Sequence, residues 1–307
     1  MTEPTLPAKA LLPLVPSQGS PAQPADGSPL AGIRYVEVET SRYCNRTCSW
    51  CPNGHTDARR IQQLMDWQVF TKITAELGAA HFEGFFAFHN YNEPLANPRL
   101  REEIAQVHLD APGAKPAIYT NGDLFNRDIL EQMREDGVKY LRITRYPHRS
   151  AVLPTYEALR RWLARTKLDT PDLLWKFTEV RQGLAATWTD QAGGLKVEVI
   201  RPSIETYNDR GGTAAVLQVA PARTAPCQMT ATSLSVDYRG QVKMCCNVVP
   251  EGAQHHEYVV GTVAEHSLAE LWHHPVMADW RGRHARSDWS RSPACKTCVQ
   301  ALPETRR

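Results

Sequence analysis

The sequence predicts an α/β protein built on a parallel sheet, open or closed into a barrel. Three observations carry this expectation. From residue 33 onward, short segments rich in β-branched and aromatic residues alternate with segments of helical period. One helix announces both of its ends: Asn126 is an N-cap ahead of residues 127–136, and Gly137 stands where a left-handed residue closes a helix. At 307 residues, the chain can also bury one large core and carry at most one appendage.

Residues 1–30 come first, and their Pro, Ser, Gly and Ala content cannot bury enough apolar surface to offset chain entropy. Lys9 followed by ALLPLV at 10–15 imitates a signal peptide, but Pro13 and Pro16 interrupt a run too short for a signal core. The segment reads as a disordered tail, with folded sequence beginning near Gly32. IRYVEVET (33–40) alternates apolar and polar residues as a strand does. A helix follows at about 67–77, then a strand in FEGFFAFHN (82–90), a helix at about 99–107 and a strand in PAIYTNG (116–122). Beyond the helix at 127–136, KYLRITR (139–145) is the next strand, 156–165 the next helix, and 173–180 and 195–201 further strands. In such sheets functional groups gather at the C-terminal ends of the strands.

Composition excludes some classes. Basic and acidic residues nearly cancel, 35 against 33, so no net field argues for nucleic acid or an anionic membrane. No apolar run approaches the roughly 18 residues a membrane span needs.

Cysteine placement is more informative. Cys44, Cys48 and Cys51, in CNRTCSWC, follow the first strand directly. Three thiols cannot pair among themselves, and the spacing is not that of a common zinc finger. Three thiolates can hold three irons of a [4Fe–4S] cluster and leave the fourth open, whereas a cluster that only carries electrons normally has four protein ligands. With Trp50 before the last cysteine, this motif resembles that of the radical S-adenosylmethionine superfamily. In that superfamily the amino and carboxylate groups of the methionine moiety chelate the open iron. A Gly-Gly-Glu-Pro segment after the second strand holds the amino group; here YNEP (91–94) keeps Glu93 and Pro94 and departs at Tyr91 and Asn92. The resemblance implies cofactor contacts from Trp50, Asn92 and Glu93, from Asn121 after the third strand, and from Arg145 after the fourth.

The other five cysteines are Cys227, Cys245, Cys246, Cys295 and Cys298. A closing CxxC with two upstream thiols also suits zinc, and a zinc-ribbon module fused to an inert α/β domain is the reading from a different class. The surroundings, APC (225–227), GQVKMC (240–245), GTVAEHSLAELWHHP (261–275) and CKTC (295–298), resemble the shortened auxiliary-cluster domain called Twitch. The implied fold is a partial (β/α) barrel over residues 31–210 with a small C-terminal auxiliary [4Fe–4S] domain over 211–307. Two [4Fe–4S] clusters and S-adenosylmethionine are the implied cofactors. Oxygen-labile clusters imply a reducing, cytoplasmic location.

From Ile33 the resemblance runs nearly full length and is nearest to the superfamily's aminoglycoside and aminocyclitol enzymes, through VEVETSRYCNRTCSWCPN, PAIYTNGD, RGG (210–212) and CKTC. It implies an aminoglycoside or aminocyclitol substrate, an external electron donor such as flavodoxin or ferredoxin, and contact of Arg210 with the reacting hydroxyl. No nucleic acid or membrane partner is implied.

Three thiols for one cluster and four for another leave one cysteine over. Adjacent residues of an extended strand point to opposite faces, and GQVKMC assigns Cys245 to the auxiliary cluster, with Cys227, Cys295 and Cys298. Cys246 is left, at a position where the superfamily's aminocyclitol dehydrogenase has no cysteine. A thiol S–H bond is weaker than a carbinol C–H bond, so Cys246 can return hydrogen to a sugar carbon radical from the opposite face. The expected activity is therefore epimerisation. The alternative is oxidation of the hydroxyl to a ketone, with the auxiliary cluster as electron acceptor. Glu205, Asp209, Asp237, Glu251 and Glu257 are the acids available for substrate amines. His255, His256, His273 and His274 read as solvated, and none is assigned to metal.

Overall fold

The computed structural model describes residues 27–55, 62–146, 155–180, 183–202, 208–214, 217, 221–251 and 253–299. Most of the expected tail therefore lies outside the described residues. Its last part is packed: Ser28 Oγ donates to the Ala80 carbonyl at 3.0 Å and Leu30 is buried in the core, so folded chain begins before Gly32.

Along the chain, β1 (Tyr35–Val38) leads through the cysteine loop to α1 (Trp67–Ala79) and β2 (Phe85–Ala87). Then come α2 (Leu100–Asp110), β3 (Lys115–Thr120), α3 (Arg127–Glu135), β4 (Tyr140–Thr144) and α4 (Tyr156–Arg165). The helices start where side chains cap them: Asp66 accepts from Gln68 N at 2.8 Å, Asn126 from Ile129 N at 3.0 Å and Thr155 from Ala158 N at 3.2 Å. Gly137 has φ +72°, as its place after α3 requires.

Here the structure departs from simple alternation. The expected strand at 173–180 forms only as β5 (Lys176–Val180), and it turns back antiparallel on β6 (Gly183–Thr189), a strand the sequence reading did not contain. β6 in turn pairs antiparallel with β7 (Lys196–Pro202), and β7 returns parallel to β4. The hairpin thus forms the edge of the sheet, where half-exposed alternating residues suffice.

The C-terminal region follows with α5 (Met229–Thr232), β8 (Ser233–Val236), β9 (Gln241–Lys243), β10 (Val259–Thr262), α6 (Leu268–His273) and α7 (Pro275–Ala285). β8 lies parallel to β1, so the sheet is continuous in the order β10-β9-β8-β1-β2-β3-β4-β7-β6-β5. Its central six strands are parallel and its flanks antiparallel. This is the partial-barrel α/β architecture the sequence implied.

Strand alternation divides the sheet into two faces. Val36, Phe86, Ile118, Leu141 and Val197 join one core with Phe70 and Leu77 of α1, Ile104 of α2, Leu130 of α3 and Leu159 of α4. On the opposite face Tyr35, Phe85, Ala87, Ala117 and Tyr140 form a second, smaller cluster.

Candidate active site

Toward the C-terminal ends of the strands the face with the smaller cluster turns polar. Register carries Tyr119 of β3 onto Arg142 of β4 and Arg142 onto Glu198 of β7. His89 stacks on Tyr119 with ring centroids 4.1 Å apart and brings Nε2 to 3.5 Å from Glu37 Oε2. Glu37 Oε1 accepts from Asn90 Nδ2 at 2.7 Å and Ser235 Oγ at 3.1 Å, and Lys243 Nζ donates to Asn90 Oδ1 at 2.7 Å. Burial raises the Glu37 carboxyl against the pull of Lys243, and burial, then Arg210, pushes the His89 imidazole down to about 3. The sequence reading did not single out these residues; Glu37 sits inside a strand that is buried throughout, and Lys243 ends β9.

The first three cysteines lie on the loop after β1, as expected. Cys51 N donates to Cys48 O at 3.0 Å and Gly54 N to Cys51 O at 2.9 Å. A Cβ at Gly54 would stand 2.3 Å from Cys48 O, so this close turn needs glycine. Arg42 Nη1 holds Asn53 Oδ1 at 2.8 Å, and Glu93 N holds Tyr43 O at 2.8 Å. On the other flank Arg46 Nε donates to Asp123 Oδ2 at 2.6 Å and Asn121 Nδ2 to Asn45 Oδ1 at 2.7 Å. Arg145 Nη1 closes the ring on the Asn121 carbonyl at 2.7 Å. Burial, with the neighbouring thiols adding to it, pushes Cys44 up to about 12 and Cys48 up to about 11. Such thiols ionise on a metal rather than alone.

The remaining cofactor candidates gather at this loop in different states. Trp50 lies 5.9 Å from the Tyr146 ring, and its buried Nε1 has no partner among the described residues, a donor that fits a bound group. Glu93 is already engaged: its carboxylate accepts from Leu95 N at 3.1 Å, Thr120 Oγ1 at 2.5 Å and Asn121 N at 2.7 Å. Asn92 is spent internally on Ser41 Oγ at 3.3 Å, Phe88 O at 3.2 Å and Asn90 N at 2.9 Å.

Cys227, Cys245, Cys295 and Cys298 line one pocket with Arg223, Asn247, His284 and Trp289. Arg223 ties its walls together, donating to the carbonyls of Ala225 at 2.8 Å, Pro226 at 2.6 Å and Cys298 at 3.1 Å. Four thiols around one pocket suit a four-ligand cluster.

Cys246 does not line that pocket. β9 ends at Lys243, so the two adjacent cysteines sit in a turn rather than in the extended strand the sequence suggested. Only Cys245 lines the pocket, although the Cys246 thiol still feels Cys298. The Cys246 carbonyl accepts from Asn90 Nδ2 at 2.9 Å and Tyr91 Oη at 3.1 Å. Its thiol is pushed up, by burial first and then by Glu37, and has Arg210 and Lys243 as its nearby cations. Arg210 holds a left-handed backbone at φ +54° and donates from Nη1 to Asn247 Oδ1 at 3.0 Å. Its guanidinium loses to burial but gains more from Tyr91, Cys51 and Cys246, which raise its pKa. Arg210 thus feels both Cys51 of the first set and Cys246.

The other candidates fall away from this interior. Glu205 lies outside the described residues. Asp209 accepts from Thr297 Oγ1 at 2.9 Å, Asp237 pairs with Arg239 at 3.0 Å, Glu251 pairs with Arg42 at 2.9 Å, and Glu257 is exposed. His255 overturns the solvated reading: it is buried, accepting from Val249 N at 3.0 Å and meeting Gly211 O at 3.1 Å. His256 is exposed, His273 meets Pro29 O at 2.8 Å, and His274 caps α7.

A three-thiol loop after the first parallel strand, together with a four-thiol pocket, is the arrangement expected of a radical S-adenosylmethionine enzyme carrying an auxiliary iron–sulfur domain. The chain carries both domains: the Radical SAM superfamily model matches residues 38–144, and the SPASM iron–sulfur cluster-binding domain model matches 227–299. Together these domains imply two [4Fe–4S] clusters and S-adenosylmethionine. Among curated proteins the chain is similar to the S-adenosyl-L-methionine-dependent 2-deoxy-scyllo-inosamine dehydrogenase of Niallia circulans, 25% identical over 270 residues, 88% of this chain and 94% of the relative. Among solved structures it is similar in fold to BtrN in complex with AdoMet and 2-DOIA, with a TM-score of 0.65, 23% identity and coverage of 90% of this chain and 96% of that one. It is also similar to BtrN in an open conformation, with a TM-score of 0.59, 20% identity and coverage of 89% and 94%. No described helix is long and apolar enough to cross a membrane.

Proposed function

We propose that this enzyme inverts a hydroxyl-bearing carbon of an aminoglycoside or aminocyclitol, with Cys246 as the hydrogen donor. The observation that carries this reading is the division of the adjacent cysteines: Cys245 lines the auxiliary pocket, while the Cys246 thiol answers to Glu37, Arg210 and Lys243 at the barrel interior.

Cys44, Cys48 and Cys51 would hold the first cluster, and Cys227, Cys245, Cys295 and Cys298 the second. When bound, the first cluster and S-adenosylmethionine supply a radical that takes hydrogen from an unactivated C–H bond. Arg210 anchors the substrate hydroxyl, and its guanidinium, charged at any working pH, fixes which carbon faces the abstraction. Cys246 breaks its S–H bond and forms a new C–H bond on the opposite face of that carbon. The sulfur radical left behind takes back one electron, supplied by an external reductant such as flavodoxin or ferredoxin, and one proton from solvent.

Oxidation to a ketone is the second reading, and the dehydrogenase likeness supports it more directly than it supports inversion. The interior offers Glu37, whose carboxyl burial raises, as the acceptor of a hydroxyl proton, whereas His89, pushed down to about 3, is too weak a base for it. Replacement of Cys246 by Ala separates the two. Under inversion, Cys246→Ala retains both clusters and still consumes S-adenosylmethionine, but forms no epimer. Under oxidation the variant stays mostly active, and Cys246 is a packing residue.

A further inference from the structure

The segment that carries Arg210 is fastened to the auxiliary pocket at several points. Asn208 Nδ2 donates to Cys298 Sγ at 3.2 Å, and Asp209 Oδ2 accepts from Thr297 Oγ1 at 2.9 Å, inside the CKTC turn. A Cβ at Gly211 would stand 2.9 Å from the His255 ring and 3.0 Å from Ala294 Cβ, so the turn is wedged between them. Asn247 closes the circuit. Its Oδ1 accepts from Arg210 Nη1 at 3.0 Å, while its Nδ2 reaches Cys298 Sγ at 3.6 Å. Both asparagines are buried, each 7% exposed.

One amide therefore joins the guanidinium proposed to anchor substrate with a sulfur proposed to ligate the auxiliary cluster. Amide donors on a ligating sulfur withdraw electron density, stabilise the reduced cluster and raise its potential. A cation on the amide oxygen polarises the same amide and strengthens its N–H as a donor. Whatever binds Arg210 competes for that polarisation, and coupling between two bound states is reciprocal.

We propose that Asn247 is a positioning residue that couples substrate binding at Arg210 to the reduction potential of the auxiliary cluster, with Asn208 as a second donor to Cys298 that tunes the potential alone. The proposal rests on the ligand assignment above but not on whether the product is an epimer or a ketone. No covalent step is added.

The test uses the full-length chain with both clusters assembled, in three variants. Iron content and the reduction potential of the auxiliary cluster are measured by spectroscopic redox titration, and KM and kcat separately by consumption of S-adenosylmethionine. Asn247→Leu loses both hydrogen bonds: the potential falls, and KM for the aminocyclitol rises about tenfold, the scale of a lost hydrogen bond to a charged group. Asn247→Asp keeps an acceptor for Arg210 and loses the donor to sulfur: the potential falls while KM stays near wild type. Asn208→Leu lowers the potential with KM unchanged. The proposal is overturned if Asn247→Leu binds its full iron yet keeps the wild-type potential, or if Asn247→Asp and Asn247→Leu raise KM equally. Should Asn247→Leu fail to assemble, Asn247→Asp and Asn208→Leu decide alone: a wild-type potential in both overturns it.

Discussion

The two cysteine centres are built in opposite ways. Around Cys44, Cys48 and Cys51 the supports are polar and reach in from the strand ends: Arg46 to Asp123, Asn121 to Asn45, Arg145 to the Asn121 carbonyl. Around Cys227, Cys245, Cys295 and Cys298 the walls are closed by the buried Arg223, which is spent on backbone carbonyls, and by Trp289. The first set sits on a loop at the strand ends, and the second lines one pocket.

The contrast breaks most simply at the first loop. Replacing Cys44, Cys48 and Cys51 together by Ala should remove about four irons and all cleavage of S-adenosylmethionine while leaving about four irons behind. Loss of all iron would show that the two thiol sets are not independent.

A smaller effect sharpens the role of the polar supports. Although burial pulls the other way, hydrogen bonds from Arg46 and then Arg145 hold the Asp123 carboxyl below its ordinary value. A depressed carboxyl contributes stability that is present above its unfolded pKa, about 3.9, and lost as pH falls through the folded value. Asp123 is 31% exposed in its side chain, so Asp123→Asn should cost about 1 kcal/mol or less at pH 7 and nothing in strong acid. Thermal unfolding of both proteins across pH 3–7 measures it, and a pH-independent difference would show that charge is not what holds the loop.

What the sequence revealed and what it hid have physical causes. The parallel strands, the caps at Asn126 and Gly137 and the first cysteine set were legible because each is a local pattern of residue type and spacing, whereas the second set, spread from Cys227 to Cys298, was legible only through resemblance. The interior was not. Glu37 and Ser235 meet across 198 residues of chain, and nothing local to either says that β8 lies against β1. His255 looked solvated beside His256, yet the short helical turn from Ala253 to Tyr258 points one ring inward and leaves the other exposed. The expected strand geometry at Cys245 and Cys246 was wrong: they sit in a turn, and only Cys245 lines the pocket.

The central claim is that Cys246 returns hydrogen from its thiol, and isotopic labelling of the product tests it most directly. The S–H proton exchanges with solvent, so the reduced enzyme should be incubated with S-adenosylmethionine and candidate aminoglycosides or aminocyclitols in deuterated water. Inversion by Cys246 predicts an isomer of the substrate that carries one deuterium at the inverted carbon, formed together with 5′-deoxyadenosine. A product lighter by two hydrogens, with no deuterium fixed at that carbon, would contradict it and make the enzyme a dehydrogenase.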